Sequence, residues 1–308
     1  MSAAGPGALR LAAHLTACRL DEGIRQGEGE QMSSGAVGPV NPTGMVGIVG
    51  GHGWMGRSLG RALLEKGIVP ADQLVVSSRS GAGETYRGWP EVRCVTDNRE
   101  LADMVDVIVL SVRPEHLSSI EIEAHGKLVI SLLAMVSLED VASRVGSRRV
   151  VRAMPNAAAE IRQAYFPWYA AEQVGEADKR LVQELLQSCG KARELSEERE
   201  LDYMTALTGA GPAFPALMAH SMLEHARDMG IPDDIAREAV MQTLVGGCLV
   251  LDSLDAAPGD MVERLVAYDG TTAKGLQALI DGGFQQLLHR GLDEAHRAAR
   301  EPCGVRKA

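Results

Sequence analysis

The feature that most restricts this chain is a run of glycines, Gly50-Gly51-His52-Gly53-Trp54-Met55-Gly56, set between a short apolar stretch and a stretch of helical spacing. Val46-Gly47-Ile48-Val49 before it reads as a buried parallel strand. After it, Met55, Leu59, Ala62 and Leu63 recur on one helical face until Lys66-Gly67 supplies a cation and a glycine stop. In that context Gly51-x-Gly53-x-x-Gly56 becomes a dinucleotide signal. One glycine permits the tight turn, the next lets backbone N–H groups approach a pyrophosphate, and the last lets the helix pack closely on the strand. The anion then meets the positive end of the helix. Gly50 leaves the register open: the turn counts from Gly50 with one inserted residue, or from Gly51 without it.

Strand candidates continue at Leu74-Val75-Val76-Ser77, Val92 to Val95, Val107 to Leu110, Leu128 to Ser131 and Val150 to Ala153, with helical or loop segments between them. Such alternation predicts an α/β fold, an N-terminal Rossmann-type doubly wound parallel sheet. Beyond about Glu198 the segments read as helices: Ala213 to Met229, Asp233 to Asp252, Asp260 to Leu265, Thr272 to Ile280 and Gln285 to Arg300. The expected organisation is therefore a nucleotide-binding domain at residues 45–198 and an all-helical dimerisation and substrate domain at 199–308. Residues 1–44, rich in Gly, Ala and Ser, read as a disordered extension, with Met32 and Met45 as alternative starts. Around Ala239-Val240-Thr243-Leu244-Gly246-Gly247-Val250-Leu251 the helix is apolar or small on most faces, the pattern of a helix buried all round. In a domain of about 110 residues that burial calls for a second subunit, so a homodimer or higher homo-oligomer is expected.

Composition excludes several classes. Acidic groups outnumber basic ones, 41 to 31, and the formal charge of -10 repels nucleic acid and anionic lipid, so neither is an expected partner. No apolar run approaches the roughly 18 residues that cross a bilayer. The five cysteines stand far apart with no C-x-x-C pair, so no metal site or disulfide framework is expected, and reduced thiols suit a cytoplasmic protein. About 22 residues past Gly56, the second strand ends in Ser77-Ser78-Arg79-Ser80, with no acid to hold the ribose hydroxyls of NAD. Arg79 between Ser78 and Ser80 offers a charge-assisted grip on a 2′-phosphate instead, which predicts NADP(H).

Further along come Asp97-Asn98-x-Glu100-Leu101, then Ala102-Asp103-Met104-Val105-Asp106-Val107-Ile108-Val109-Leu110-Ser111-Val112-Arg113-Pro114, and Arg152-Ala153-Met154-Pro155-Asn156. Thr205-Ala206-Leu207-Thr208-Gly209-Ala210-Gly211-Pro212-Ala213-Phe214, Met229-Gly230-Ile231-Pro232 and Asp269-Gly270-Thr271-Thr272 follow. In this order and at these separations, from Met45 to about Arg300, they resemble the pyrroline-5-carboxylate reductase family: D-N-x-x-L, A-D-V-I-x-L-A-V-K-P, R-x-M-P-N, T-A-L-S-G-S-G-P-A-Y, M-G-L-P and S-P-G-G-T-T. The resemblance implies reduction of a cyclic imine by NAD(P)H, the last step of proline formation. It implies interlocked helical domains, with each active site between a nucleotide domain and the dimer's helical core. It places Asn98 at the adenosine ribose and Ser111, Val112, Arg113 and Pro114 beside the nicotinamide ribose. Asn156, Thr208, Ala210, Gly211, Pro212, Asp269 and Gly270 would then border the substrate.

The substrate half departs further from that pattern than the nucleotide half. Ala157-Ala158 replaces T-P after Pro155-Asn156, Thr208 and Ala210 replace two serines, and Ala267-Tyr268-Asp269-Gly270 replaces S-P-G-G. Pointing inward, Asp269 would face the substrate carboxylate; pointing to solvent, it leaves the N–H groups of Gly270 and Thr271 as a carboxylate nest. His220 falls where many relatives carry an acid, and is either a proton source titrating near neutrality or a residue packed at the subunit interface. Thr271, Thr272 and Thr208 are the candidates for hydrogen bonds to the substrate, the first two standing with His220 as the catalytic set. The chemistry needs a hydride donor within about 3.5 Å of the imine carbon and a proton on nitrogen. Competing readings are reduction of a different cyclic imine, an NADP-sensing protein without activity, and a prephenate dehydrogenase-like oxidoreductase. The last shares a G-G-x-G-x-M-G turn, but the G-A-G-P and D-G-T-T segments stand against it.

Overall fold

Four apolar residues with no polar face between them, Val46–Val49, form β1 at the centre of an eight-stranded sheet and are wholly buried. The computed structural model describes residues 44–301 apart from Ser80, Ala82 and Asp255, all within one compact unit, Pro42–Ala308. The expected extension thus lies, but for Gly44, outside the described residues, as does the Ser80 expected beside the cofactor. The other strands are β2 (Leu74–Ser77), β3 (Arg93–Val95), β4 (Val107–Leu110), β5 (Leu128–Ser131), β6 (Val150–Ala153), β7 (Ala164–Ala170) and β8 (Gly190–Glu194). Their order is β3-β2-β1-β4-β5-β6-β7-β8, so the first six follow the 3-2-1-4-5-6 arrangement of dinucleotide-binding sheets.

Helices cover both faces, as buried parallel strands require. Helix α1 (Trp54–Glu65) and α4 (Glu176–Gln187) press Leu59, Leu63, Val182 and Leu185 onto one face, against Ile48 and Val76. Helices α2 (Asn98–Met104) and α3 (Leu138–Val145) press Leu101 and Val141 onto the other, against Val75 and Ile108. The close approach of α2 depends on Gly47, where a Cβ would meet the Leu101 side chain at 2.6 Å.

Two corrections concern the sheet. It is not wholly parallel: β7 runs antiparallel to β6, in the register Val151↔Ala170, Arg152↔Tyr169, Ala153↔Trp168, while β8 pairs with β7 in parallel. Both strands also escape the sequence pattern. Pro167 interrupts β7 and argues against a strand, yet here its carbonyl accepts the Met154 N–H at 3.0 Å, and Phe166 and Trp168 on either side are fully buried. Strand β8 is an edge of charged residues, Lys191, Arg193 and Glu194, with only Ala192 buried.

From Glu198 the described chain is helical. Helix α5 (Glu198–Met204) runs into a π-helical stretch, Thr205–Gly209. After it come α6 (Ala213–Asp228), α7 (Asp233–Ser253), α8 (Pro258–Ala267), α9 (Thr271–Asp281) and α10 (Phe284–Ala299). Helix α7 is not buried all round within one chain: Ala236 and Val240 are buried, but Met241, Val245 and Leu249 are about half exposed. Among the described residues no single helix is long and apolar enough to cross a membrane.

Candidate functional site

The strand order reverses between β1 and β4, and the crevice outside their carboxyl ends is walled by the turn 50–53 and by Ser111–Pro114. Gly50 carries the tight turn, at φ +80°. A Cβ there would meet the Ser111 carbonyl oxygen at 2.4 Å, which shows how closely the two walls approach. The N–H groups of Gly50 and Gly51 donate to the Ser77 carbonyl at 3.0 and 3.1 Å, and that of Gly53 to Gly50 at 2.9 Å. Gly56 lies against the turn, where a Cβ would meet the Gly50 oxygen at 2.5 Å. No side chain caps α1 and no acid stands in its first turn, so its leading N–H groups are left for an anion. A turn in which Gly50, Gly51 and Gly53 carry no side chain, at an uncapped helix end, fits a dinucleotide pyrophosphate.

One end of the crevice is built by the segment after β2. Ser77 Oγ donates to Asn98 Oδ1 at 2.6 Å, which leaves the Asn98 amide N–H groups for another acceptor. Ser78 Oγ donates to the Gly81 carbonyl at 3.0 Å and so tightens the loop, while Arg79 stands exposed on it. Beneath, the buried Tyr86 donates its hydroxyl to the Gly51 carbonyl at 3.0 Å. Burial, and then Cys94, push that phenol far above its ordinary pKa, so it remains a donor.

At the other end, the Ser111 N–H donates to Val49 at 2.9 Å, Val112 packs half-buried against the core, and Arg113 is exposed beside Glu115 at 3.8 Å. Trp54, exposed at the start of α1, donates from Nε1 to Glu160 Oε2 at 2.8 Å; Met55 behind it packs on the core. Asn156, just past β6, does two jobs. Its Oδ1 caps the turn by accepting from the Ala158 N–H, and its Nδ2 donates to the Thr208 carbonyl at 2.9 Å. Thr208 returns its own hydroxyl to the Met204 carbonyl. The structure therefore brings Asn156 together with Thr208 and with Ala210, Gly211 and Pro212, which link the π-helical stretch to α6. Single-turn π segments collect at functional sites.

One supporting residue was not singled out in the sequence. Arg152, its side chain 6% exposed at the end of β6, donates to Glu198 Oε1 at 2.6 Å and lies 3.5 Å from Asp202 Oδ1, both on α5. The same Glu198 oxygen accepts the Leu138 N–H at 2.8 Å. Buried charge of this kind is stable only when paired, so the network fixes α5, and with it the π-helical stretch, to the sheet.

The remaining expected residues lie elsewhere in the chain. His220 stands two turns into α6, roughly 10 Å beyond the 210–212 turn at 1.5 Å per residue. It pairs with Glu224 at 3.4 Å and lines a groove of about 1060 Å³ between α6–α7 and the β7–β8 edge, with Pro212, Tyr165 and Lys191. Asp269 adopts φ +52°, a conformation glycine takes freely, and its exposed carboxylate pairs with Lys274 at 2.6 Å. Gly270 is the N-cap of α9, again without a side-chain cap, and Thr271 and Thr272 open that helix, exposed. No hydrogen bond or ion pair among the described residues joins 269–272 to Asn156 or Thr208 of the same chain.

Comparison with known proteins gives two family matches. Residues 198–302 match the family described as pyrroline-5-carboxylate reductase dimerisation, and residues 45–135 match that described as NADP oxidoreductase, coenzyme F420-dependent. The pyrroline-5-carboxylate reductase of Kluyveromyces lactis is 34% identical over 238 residues, 76% of this chain and 82% of that one. Among solved structures, a pyrroline-5-carboxylate reductase from Coxiella burnetii gives a TM-score of 0.77 at 25% identity, covering 85% of this chain and all of the other. Pyrroline carboxylate reductase of Plasmodium falciparum, solved with NADP bound, gives 0.73 at 25% identity, covering 83% and 97%.

Proposed function

Since the chain belongs to the pyrroline-5-carboxylate reductase family, we infer that it reduces 1-pyrroline-5-carboxylate to L-proline with NADPH. The observation that carries the reading is that the glycine turn, the Arg79 loop and the Asn156–Thr208 clamp follow the carboxyl ends of β1, β2 and β6. NADPH supplies the hydride that attacks the imine carbon. The residues of the chain hold and orient. The free N–H groups at the start of α1 hold the pyrophosphate, Gly50, Gly51 and Gly53 admit it by carrying no side chain, and Trp54, Met55 and Gly56 set the helix against it. Ser78 and Arg79 take the 2′-phosphate, Asn98 the ribose, and Ser111, Val112, Arg113 and Pro114 the nicotinamide side.

Asn156 keeps the 208–212 turn at the mouth of the crevice, where Thr208, Ala210, Gly211 and Pro212 border the imine ring. The uncapped start of α9, with Gly270, Thr271 and Thr272, suits the substrate carboxylate. Asp269 does not oppose it, because Lys274 neutralises Asp269. The imine nitrogen is basic enough to arrive protonated, which leaves the side chains the task of positioning.

The match of residues 198–302 to a dimerisation family supports a homo-oligomer. We take it to be a homodimer, because the half-exposed apolar face of α7 suits a second copy and the 269–272 loop of one chain makes no bond to its own Asn156 or Thr208. The described cysteines, Cys94, Cys189 and Cys248, are free, which supports the cytoplasm as its compartment. The reading is tested by following NADPH oxidation by the full chain with 1-pyrroline-5-carboxylate and with unsubstituted 1-pyrroline. Higher kcat/KM for the carboxylated imine is expected; a preference for 1-pyrroline would transfer the enzyme to a different cyclic imine.

A further inference from the structure

His52 is the one large side chain inside the 50–53 turn, between Gly51 and Gly53. Its ring meets Tyr86 edge-on, with centroids 5.5 Å apart and planes at 69°. A Cβ built on Gly83 would stand 3.1 Å from its Nδ1. Both neighbours belong to the segment that follows β2 and carries Arg79. His52 on the phosphate turn and Arg79 on that segment thus form two walls of the recess that receives the adenosine ribose in sheets of this order. The His52 Nε2 is buried and has no hydrogen-bond partner among the described residues. Native structures rarely leave such a group unsatisfied, and an unmet ligand is one of the usual reasons.

We propose that His52 is a second reader of the cofactor's 2′-phosphate, donating an imidazole N–H to it and taking up one proton from solvent when NADPH binds. Burial holds the free ring below the ordinary histidine pKa, so it is neutral before binding. A phosphomonoester beside it reverses that balance, because the dianion favours imidazolium.

Tyr86, in direct contact with His52, has its phenol pushed up by burial and then by Cys94. On the 84–87 turn Glu84 and Arg87 pair at 2.7 Å, Arg79 is a permanent cation, and on the α1 side Arg57 pairs with Glu160 at 3.5 Å. The complex then holds one proton more than the free protein. Affinity for NADPH therefore rises as pH falls from the raised pKa of the complex to the lowered pKa of the free ring. NADH, which lacks the phosphate, has no such dependence.

The inference rests on NADPH being held at the Arg79 loop, and the test separates the two. Binding of NADPH and of NADH to the full chain is measured by titration calorimetry in buffers of different ionisation heat, at about pH 7.5, where the 2′-phosphate is itself largely dianionic. Net proton uptake with NADPH and none with NADH is expected. His52→Gln keeps an N–H donor but cannot take a proton; it should abolish the uptake. At about pH 6.5 it should also weaken NADPH roughly fivefold to tenfold, with NADH unchanged. His52→Asn gives the same comparison if the glutamine variant does not fold, and the wild-type contrast between the two cofactors needs no variant. Equal proton uptake for NADPH and NADH, or uptake that survives in His52→Gln, overturns the proposal. Equal affinity for the two cofactors in the wild type overturns the Arg79 reading and this one with it.

Discussion

Arg79 is the residue on which cofactor choice should turn, since it is an exposed cation on a loop with no acid at the strand end. Hydrogen bonds to charged groups contribute about 1.5–3 kcal/mol. Arg79→Ala should therefore cost NADPH roughly tenfold to a hundredfold in Kd and leave NADH nearly unchanged, as a fluorescence titration with each cofactor would show. The place of Arg79 was legible in the sequence because it depends only on where β2 ends. Arg152 was not: its partners Glu198 and Asp202 lie 46 and 50 residues away and meet it only because β6 and α5 pack. Arg152→Leu leaves Glu198 and Asp202 facing each other in a partly desolvated place, and should lower unfolding stability by about 3 kcal/mol. Urea denaturation measures this. His52 escaped for a third reason, since a histidine within a glycine motif looks like filler until the loop that folds over it is known.

At the level of elements, the alternation of apolar runs and helical spacing placed six strands and most helices, because a central parallel strand has one way to be buried and announces it in unbroken apolar residues. Strands β7 and β8 carry no such signature: β7 holds a proline and β8 is a charged edge. The glycine turn was legible as a motif, but which glycine takes the positive φ was not, because that depends on the Ser111 carbonyl beyond β4. From that contact follows the expected behaviour of Gly50→Ala. At φ +80° an alanine costs about 1–2 kcal/mol, and its Cβ would stand 2.4 Å from a backbone oxygen that cannot move without shifting β4. A loss of about 2–3 kcal/mol in stability is expected, together with loss of measurable NADPH binding by calorimetry.

For the whole molecule, the apolar residues left half-exposed on α7 make association part of the fold. Leu249, 53% exposed in one chain, also lines the groove between α6–α7 and β7–β8. Leu249→Glu should drive the protein toward a 32.8 kDa monomer in sedimentation, because an unpaired carboxylate is costly to bury. Activity should fall at least tenfold if the 269–272 loop serves the neighbouring copy. An unchanged sedimentation coefficient would locate the subunit contact elsewhere. The sequence announced this association through a helix without a polar face, but could not say which partner surface meets it.

Asn156 grips Thr208 by its main-chain carbonyl and not by its hydroxyl. The grip is therefore indifferent to which side chain stands at 208, and the turn can exchange hydroxyls for methyls over generations without losing its place. What descent has to conserve here is an address rather than an identity, and the side chains of the turn are free to be rewritten around a fixed point.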